Sequence, residues 1–419
     1  MRRVLSWFPD TAPLRESRSF RLLWIGQLIS LTGSQLRLIA LPYQVFLLTG
    51  SSFDVGLIGL FQAVPLLVLG LFGGVIADAV DRRRLLLGTQ IGLAAVSLTL
   101  AMVTQLGLAS VPILYLLTAA GACFSALDHP TRASLAPTLV ERRHINASIA
   151  LNQTAWQIAS IVGSILAGVV IARAGLAGAY WIDVGTFVAA LIAVWSMRTP
   201  PRVPTERMPV VRAVVEGVRY LGATRILLAT MVLDFLAMFF GSPRALFPYY
   251  AERVFHVGPE GLGILYASMG VGALVAAVAS GWTARVDRPG LTILAAVVVW
   301  GSAVALFGVL DEQLFVIGCL LLAVASAADI VATILRGTML QLIVPDALRG
   351  RLNAINLMFV AGGPYLGQFE SGAVAALWSP VAAVVSGGIA CVASVFAIAA
   401  WLPEIVRYRA HHDETGAGG

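Results

Sequence analysis

Apolar runs of about 18 residues or more recur along this chain from Leu22 to Leu402, and they decide most of what it can fold into. Each run is long enough to cross a hydrocarbon core of roughly 30 Å as a helix. Hydrophobic residues make up 58% of the sequence and charged residues 12%, whereas soluble domains carry roughly 25% charged residues. The sequence therefore predicts a polytopic membrane protein and excludes a soluble globular fold.

Breaks rich in charge, proline or glycine divide the apolar sequence into twelve predicted spans. The spans lie near residues 22–48, 55–79, 85–106, 111–131, 145–172, 180–197, 226–250, 261–284, 291–310, 314–336, 352–377 and 381–402. The predicted units are an N-terminal tail (1–21), a six-helix bundle (22–197), a linker with a short amphipathic helix (198–225), a second six-helix bundle (226–402) and a tail (403–419). The expected fold class is thus all-α, with twelve transmembrane helices.

The basic residues of this chain are all arginines, and they cluster in alternate loops. They gather before the first span, after each even-numbered span up to the tenth, and in the C-terminal tail. The positive-inside rule then predicts that both tails are cytoplasmic, in a multi-pass protein of the cell membrane. The net charge of +6 and pI of 9.6 consequently describe topology, and we expect no nucleic-acid partner.

The two halves of the sequence look like a repeat under one register shift of 207 residues. This shift pairs Arg37 with Arg244 and Gly74 with Gly281. An arginine in the middle of a span is rare, so two at equivalent depth favour an internal repeat over chance. Two six-helix repeats related by an axis along the membrane normal are typical of one large class of transporters.

The residues after the second span carry a more specific signal, a glycine followed four residues later by an aspartate and then by a basic pair. The signature consists of Gly74, Asp78, Asp81, Arg82 and Arg83. It resembles the loop 2–3 motif of the major facilitator superfamily. Further segments at 247–250, 263–267, 338–341 and 350–353 are similar to the enterobactin-exporter branch of that superfamily and to its macrolide-efflux relatives.

This resemblance implies two six-helix bundles around a central cavity bordered by spans one, four, seven and ten. It also implies an inner gate in which Asp78 caps the start of span eleven and Arg82 pairs with Asp128. The candidate gating residues are Gly74, Asp78, Asp81, Arg82, Arg83, Asp128, Arg132 and Arg336. The alternative is that the arginines of this loop merely set the topology.

Polar residues at helical spacing mark the candidate substrate cavity. Gln27, Ser30, Ser34 and Arg37 follow each other at steps of three, four and three residues, which places them on one face of span one. Span seven contributes Asp234 and Arg244, which we expect on one face and in contact. Ionised side chains that face lipid are costly, so these groups must face protein or water. They either line the cavity or form buried salt bridges that clamp the halves together.

Three embedded acids are candidates for proton coupling, namely Asp234, Asp329 and Glu370. A carboxylate inside a membrane protein can exchange an arginine partner for a proton, whereas arginine keeps its charge. Glu370 is either such a proton site or a rim residue of span eleven. Asp183 lies a few residues into the predicted span six, and we expect it at the rim.

The expected function is export of a small hydrophobic or amphipathic molecule, siderophore-like or drug-like, by proton antiport. A nucleotide-binding loop needs a lysine that this chain lacks, so an ion gradient must supply the energy. We expect a monomer that works in the lipid bilayer on a small-molecule substrate and protons. Neither enzyme activity nor a cofactor or metal is expected. The alternatives are a proton-coupled uptake carrier of the same fold and a membrane sensor that binds ligand without transport.

Overall fold

A computed structural model describes residues 10–79, 81–197, 216 and 219–409. For 71–79, and for several residues between 346 and 361, it describes the backbone alone. The part of the chain so described is helical and contains no β-strand, which confirms the all-α prediction. The linker 198–225 falls mostly outside these ranges, as do both ends of the chain.

Within the described residues, the bundle consists of ten long helices and one double-length helix. In chain order they are α1 (Arg18–Thr49), α2 (Ser52–Ala79), α3 (Arg82–Gln105), α4 (Val111–Leu135), the double-length helix Ile145–Trp195, α7 (Arg225–Phe240), α8 (Gly258–Ala279), α9 (Pro289–Gly308), α10 (Phe315–Ile343), α11 (Asp346–Leu377) and α12 (Pro380–Trp401).

The helix Ile145–Trp195 crosses the membrane twice. Its 51 residues would measure about 77 Å as a straight helix, more than twice the thickness of the hydrocarbon core. Gly175 has a left-handed backbone with φ of 69°, a conformation that glycine adopts without steric cost. The chain turns back there, which divides the stretch into α5 (145–174) and α6 (176–195).

The twelve predicted spans correspond to α1 to α12. Among the described residues, nine helices are long and apolar enough to cross a membrane, and the double-length helix is counted once among them. The two remaining crossings are α1 and α11, each of 32 residues. Both carry polar side chains, since α1 holds the predicted polar stripe. The all-α fold with twelve transmembrane helices is therefore confirmed.

Local sequence signals explain where several helices begin and end. The Ser17 hydroxyl accepts the Phe20 N–H at the start of α1, and the Asp81 carboxylate accepts the Arg84 N–H at the start of α3. Such caps satisfy backbone donors that the first helical turn leaves free. At the other end of α1, Gly50 takes the left-handed conformation that commonly ends a helix.

The segment after α7 is irregular. Gly241 and Ser242 leave the helical conformation, and 3-10, α and π turns follow between Pro243 and Val254. The buried Tyr250 anchors this segment because its hydroxyl donates to the Gly308 carbonyl at the end of α9. The chain thus continues towards α8 without the regular side-chain periodicity of a helix.

The first half (α1 to α6) and the second half (α7 to α12) meet along two helix pairs, α2 with α11 and α5 with α8. A methyl group added to Gly56 would lie 2.8 Å from the Cα of Gly372, so these backbones almost touch. Likewise, a methyl group on Gly168 would lie 2.7 Å from the Pro259 carbonyl oxygen. These contacts lie near Gly50, Gly175 and Gly258, at what the arginine pattern predicts to be the outer end.

Candidate functional site

A cavity of about 190 Å³ lies in the first half and extends to α11. Gln27, Ser30, Ser34 and Arg37 all line it, as the polar stripe of α1 predicts. Helices α2 to α6 supply most of the remaining wall, and α11 contributes Tyr365. The four candidates from span one are therefore brought together, whereas Asp234 and Arg244 are not among the residues that line this cavity.

Arg37 is paired within its own half. Its Nη1 atom donates a 2.9 Å hydrogen bond to Ser97 and lies 3.5 Å from Oδ2 of Asp183 in α6. The Ser97 hydroxyl donates to the same Asp183 oxygen at 2.6 Å. The guanidinium also lies 5.5 Å from the ring centroid of Phe187, a distance that suits a cation–π contact. Arg37 therefore presents a neutralised polar group to the cavity.

The expectation that Asp183 is a rim residue is wrong, because its relative exposure is 0%. The error comes from the start of the span. Helix α6 begins directly after Gly175 rather than near Tyr180, so Asp183 lies about 12 Å along it, at the depth of Arg37.

Asp128 is the centre of a second buried network, between α3 and α4. Its Oδ2 atom accepts a 2.6 Å hydrogen bond from Nε of Arg132, one helical turn away. Its Oδ1 atom accepts from Thr89 at 2.9 Å and from Gln90 at 2.7 Å. Three donors thus satisfy a carboxylate that is 6% exposed.

The loop residues of the predicted gate make other contacts than expected. Arg82 donates to the Ser134 carbonyl, and Arg83 donates to the carbonyls of Val194 and Trp195. The carboxylate of Asp128 is held by Arg132, Thr89 and Gln90 in place of the expected Arg82 pair. The sequence interpretation missed that Arg132 follows Asp128 by four residues and reaches it along the same helix. The side chain of Asp78 lies outside the described part, so the proposed Asp78 cap remains a prediction.

Asp234 pairs with Arg336 of α10, not with Arg244. Both partners are 5% exposed, so this ion pair is buried between two helices of the second half. The expected Asp234–Arg244 pair overlooked that ten residues separate the two positions by about 15 Å along a continuous helix. Because α7 ends at Phe240, Arg244 lies on a 3-10 turn and leaves the face that Asp234 occupies.

Arg244 and Asp329 stand beside this pair. Asp329 is half-buried on α10, accepts a weak 3.5 Å hydrogen bond from Thr333, and experiences the charges of Asp234, Arg336 and Arg244. The Arg244 guanidinium also acts electrostatically on the hydroxyl of Tyr365 at the cavity wall. Among the ion pairs of the described residues none includes Arg244, although its charge acts on the Asp329 carboxylate.

Glu370 is half-buried in the outer part of α11, next to Ser371. Ser371 itself donates to the Ser242 carbonyl and so ties α11 to the segment after α7. This position leaves open both interpretations of Glu370, the proton site and the rim residue.

Sequence reasoning missed the contribution of α3 to the site. Gln90 lines the cavity, and Ser97, seven residues further on, orients Arg37 and Asp183. The sequence contains a signal for this contribution. Gln90 and Ser97 are separated by two helical turns and so share one face of the helix, and both of them, like Thr89, are polar residues in an otherwise apolar span. The cavity residues His129 and Trp156 were also missed.

The comparisons with known proteins agree with this architecture. The family model for transmembrane secretion effectors matches residues 9–412. The Enterobactin exporter EntS of Escherichia coli O6:K15:H31 is 27% identical over 415 residues, which cover 99% of each chain. The Enterobactin exporter EntS of Shigella boydii serotype 18 is 27% identical over 405 residues, 96% of each chain.

A solved structure shares the fold. The crystal structure of nucleoside transporter NupG matches with a TM-score of 0.72 at 15% identity, covering 93% of this chain and 99% of that chain. The resemblance to the major facilitator superfamily, and to its enterobactin-exporter branch, is thereby confirmed. This chain therefore belongs to the transmembrane secretion effector family of the major facilitator superfamily and is a multi-pass membrane transporter.

Proposed function

We propose that this transporter exports a small amphipathic molecule, siderophore-like or drug-like, in exchange for protons and by alternating access of its two halves. The direction and the substrate class are supported by the likeness to proteins named Enterobactin exporter EntS. Under this proposal the substrate enters the central cavity from the cytoplasm. It leaves when the two halves rock about a site near the midplane.

The observation that carries the proposal is the placement of the contacts between the halves. Tyr43, Gly56 and Gly168 contact the second half, and all three lie in the outer part of their helices. Towards the other end, the cavity wall includes His129 and Trp156, both exposed. Contacts between the halves at the outer end, together with exposed cavity residues towards the other end, support the inward-facing state of an alternating-access carrier.

The second half supplies the coupling groups of the proposal. Asp234, Asp329, Arg244 and Arg336 form a group of two acids and two arginines at membrane depth. A proton on Asp234 would release Arg336 towards Asp329, whereas the ionised Asp234 retains Arg336. Protonation then selects between two arrangements of charge, which is what coupling to a proton gradient requires.

The test uses everted membrane vesicles that contain the protein and acidify their lumen by respiration. A panel of radiolabelled siderophores and macrolides is offered outside, and accumulation is measured with and without nigericin, which collapses the pH gradient. An exporter coupled to protons accumulates its substrate in these vesicles and loses it when nigericin is added. Vesicles without the protein are the control. Uptake carriers would instead drive the compound out of preloaded vesicles, and a sensor would bind it without counterflow.

A further inference from the structure

Asp183 of α6 is a titratable group behind the wall of the cavity that the proposed coupling does not use. Its side chain is 0% exposed and is not among the residues that line the cavity, whereas the side chain of Arg37 is 15% exposed and lines it. Ser97 of α3 connects the two. Nη1 of Arg37 donates to the Ser97 hydroxyl at 2.9 Å, and that hydroxyl donates to Oδ2 of Asp183 at 2.6 Å. A single hydroxyl group therefore separates the buried acid from a side chain that the cavity reaches.

The Asp183 carboxylate has few donors for a buried anion. Its Oδ1 atom is buried and has no hydrogen-bond partner among the described residues. The nearby hydroxyls are used elsewhere, because Thr186 donates to the backbone carbonyl of Asp183 and Tyr180 donates to Gln44. A hydroxyl has one proton to donate, so neither of them also serves Oδ1. Within the described part of the chain, one neutral donor and one arginine nitrogen at 3.5 Å hold this carboxylate in its ionised form.

Asp128, the acid of the other buried pair in the first half, provides the contrast. Arg132 donates to it directly at 2.6 Å, and Thr89 and Gln90 satisfy its second oxygen. Three such donors favour the charged form of a carboxylate. Asp183 lacks them, and burying an unpaired oxygen costs less free energy in a neutral acid than in an anion. Of these two acids, Asp183 is therefore the one that takes up a proton when its arginine moves away.

We propose that Asp183 is a proton-binding site of the first half, which Arg37 opens to the cavity by leaving Ser97. A protonated water in the cavity then donates its proton to the vacated Ser97 oxygen, while Ser97 passes its own hydroxyl proton to Oδ2 of Asp183. The water and Ser97 end neutral, and Asp183 becomes an acid whose O–H donates to Ser97. The net change is the uptake of one proton. This inference rests on the proposed function, since it assigns that proton to the transport cycle, and it gives the carrier a proton site in each half.

The charged and titratable groups that face Asp183 come from two helices of the described part. Arg37 of α1 and Tyr180 of α6 interact with it electrostatically, while α3 contributes the neutral Ser97. Of these groups, Arg37 reaches the cavity. The ionised Asp183 holds its guanidinium against the wall beside Phe187, whereas protonation releases the guanidinium into space that the substrate needs. Proton and substrate then exclude each other, which is the relation that exchange requires.

The test detects the proton by infrared spectroscopy of the purified full-length protein, because a protonated carboxyl group has a C=O band that a carboxylate lacks. Asp183→Asn alone leaves Arg37 without its counter-charge, so the comparison is made in an Arg37→Gln background. We expect Arg37→Gln to fold and to show an acid band at neutral pH, since Asp183 takes a proton in place of the arginine. The double variant Arg37→Gln with Asp183→Asn should lose that band. An Arg37→Gln protein that cannot be purified, or a band that persists in the double variant, overturns the proposal.

The matched control is the other buried pair. Arg132→Gln with and without Asp128→Asn should differ by no acid band at neutral pH, because Thr89 and Gln90 still stabilise the ionised Asp128. A band lost from this pair as well would show that any acid of the first half is protonated once its arginine is removed. That result would overturn the assignment to Asp183.

A second measurement follows Arg37 in the wild-type protein. Phenylglyoxal modifies arginines that solvent reaches, and mass spectrometry assigns the modification to individual peptides. On mild acidification, the modification of Arg37 relative to the exposed Arg142 should rise roughly threefold or more, because protonation of Asp183 releases it. Arg132 is the internal control, and its ratio to Arg142 should stay constant. A ratio for Arg37 that stays equally constant overturns the proposal.

These outcomes separate the proton site from the transport function. Vesicles that accumulate a substrate, together with no acid band that depends on Asp183, would retain the exporter and remove the proton site. An acid band that depends on Asp183, without accumulation in vesicles, would retain the proton site and remove the exporter.

Discussion

The hydroxyl of Tyr43 donates a 2.5 Å hydrogen bond to the carboxylate of Glu252, and this bond joins the two halves of the bundle at their outer end. Close by, the rings of Phe46 and Tyr249 make an edge contact between the same two elements, with centroids 6.5 Å apart. Directional contacts of this kind add to the close backbone approach of α2 and α11. All of them must break before the cavity can open on this side.

We expect Gly56→Val to open the outer end, because its side chain would collide with Gly372, where a single methyl group already approaches within 2.8 Å. The population of molecules accessible from outside should rise and transport should fall at least tenfold. A cysteine placed at Ser34 in a background without Cys123, Cys319 and Cys391 reports this as faster reaction with an impermeant maleimide added outside. Gly88→Val is the control, since a methyl group on Gly88 meets nothing within 4 Å. Equal labelling rates in the two variants would contradict closure by this contact.

The Arg37–Asp183 pair should behave as a buried unit. Asp183→Asn leaves the guanidinium without its counter-charge, and we expect a loss of roughly 3 to 5 kcal/mol in stability, as for other buried pairs with one partner removed. The measurement is the unfolding midpoint of the purified protein. The double variant Arg37→Met with Asp183→Leu should be more stable than Asp183→Asn alone. Arg37→Met and Asp183→Leu are also measured singly, and if their two effects add up to that of the double variant, the residues do not act as a pair.

Asp234→Asn should still bind substrate but lose transport driven by a pH gradient, and its unfolding midpoint should fall because Arg336 loses its buried counter-charge. The substitution mimics the protonated acid permanently, so a proton no longer distinguishes the two states. Counterflow of labelled against unlabelled substrate, which needs no proton, should persist in proteoliposomes. Gradient-driven transport at the wild-type rate would remove Asp234 as the coupling group and direct attention to Asp329 and Glu370.

Arg336→Ala and Arg244→Ala should differ in protein yield. Arg336 is the partner of Asp234, and its removal leaves a carboxylate buried without a cation, which is costly. Arg244 makes no ion pair within the part of the chain that the structure describes, so its removal should leave yield near that of the wild type. Detergent-extracted monodisperse protein is quantified by fluorescence size exclusion. A lower yield for Arg244→Ala than for Arg336→Ala would contradict the assignment.

The distribution of arginines between the loops predicts which side of the membrane each loop and tail lies on. A reporter fused after Gly419 and another inserted near Pro204 should both read cytoplasmic, whereas one inserted near Gln313 should read external. Gln313 lies in the short turn between α9 and α10, where an insertion disturbs no transmembrane helix. Paired alkaline phosphatase and green fluorescent protein fusions make the measurement. Opposite readings at Pro204 and Gly419 would show that the number of crossings between them is odd.

The sequence predicts the helices well because hydrophobicity and length suffice to define a crossing. The ninth span, expected near 291–310, is observed as Pro289–Gly308. Polar periodicity also placed Gln27, Ser30, Ser34 and Arg37 on one cavity wall.

The ion-pair partners of the charged residues could not be predicted from the sequence, because they depend on the rotation of each helix and on helix breaks that hydrophobicity does not reveal. Asp234 and Arg244 are ten residues apart, which on a straight helix would already separate them by about 15 Å along the axis, and Gly241 and Ser242 interrupt that helix. Asp183 was misplaced because one glycine, Gly175, moves the start of α6. Spacing within a helix is visible in a sequence, whereas contact between helices is not.

The buried ion pairs at membrane depth, Arg37–Asp183, Asp128–Arg132 and Asp234–Arg336, each join residues of the same half. The consequence concerns biogenesis. When the ribosome has synthesised α6, both embedded acids of the finished pairs in the first half already have their arginines within reach. The first half can therefore leave the translocon before the second half is synthesised, because its two buried carboxylates are already paired with arginines. The first bundle is thus an insertion unit whose buried acids are neutralised from within, although only the two bundles together enclose a pathway.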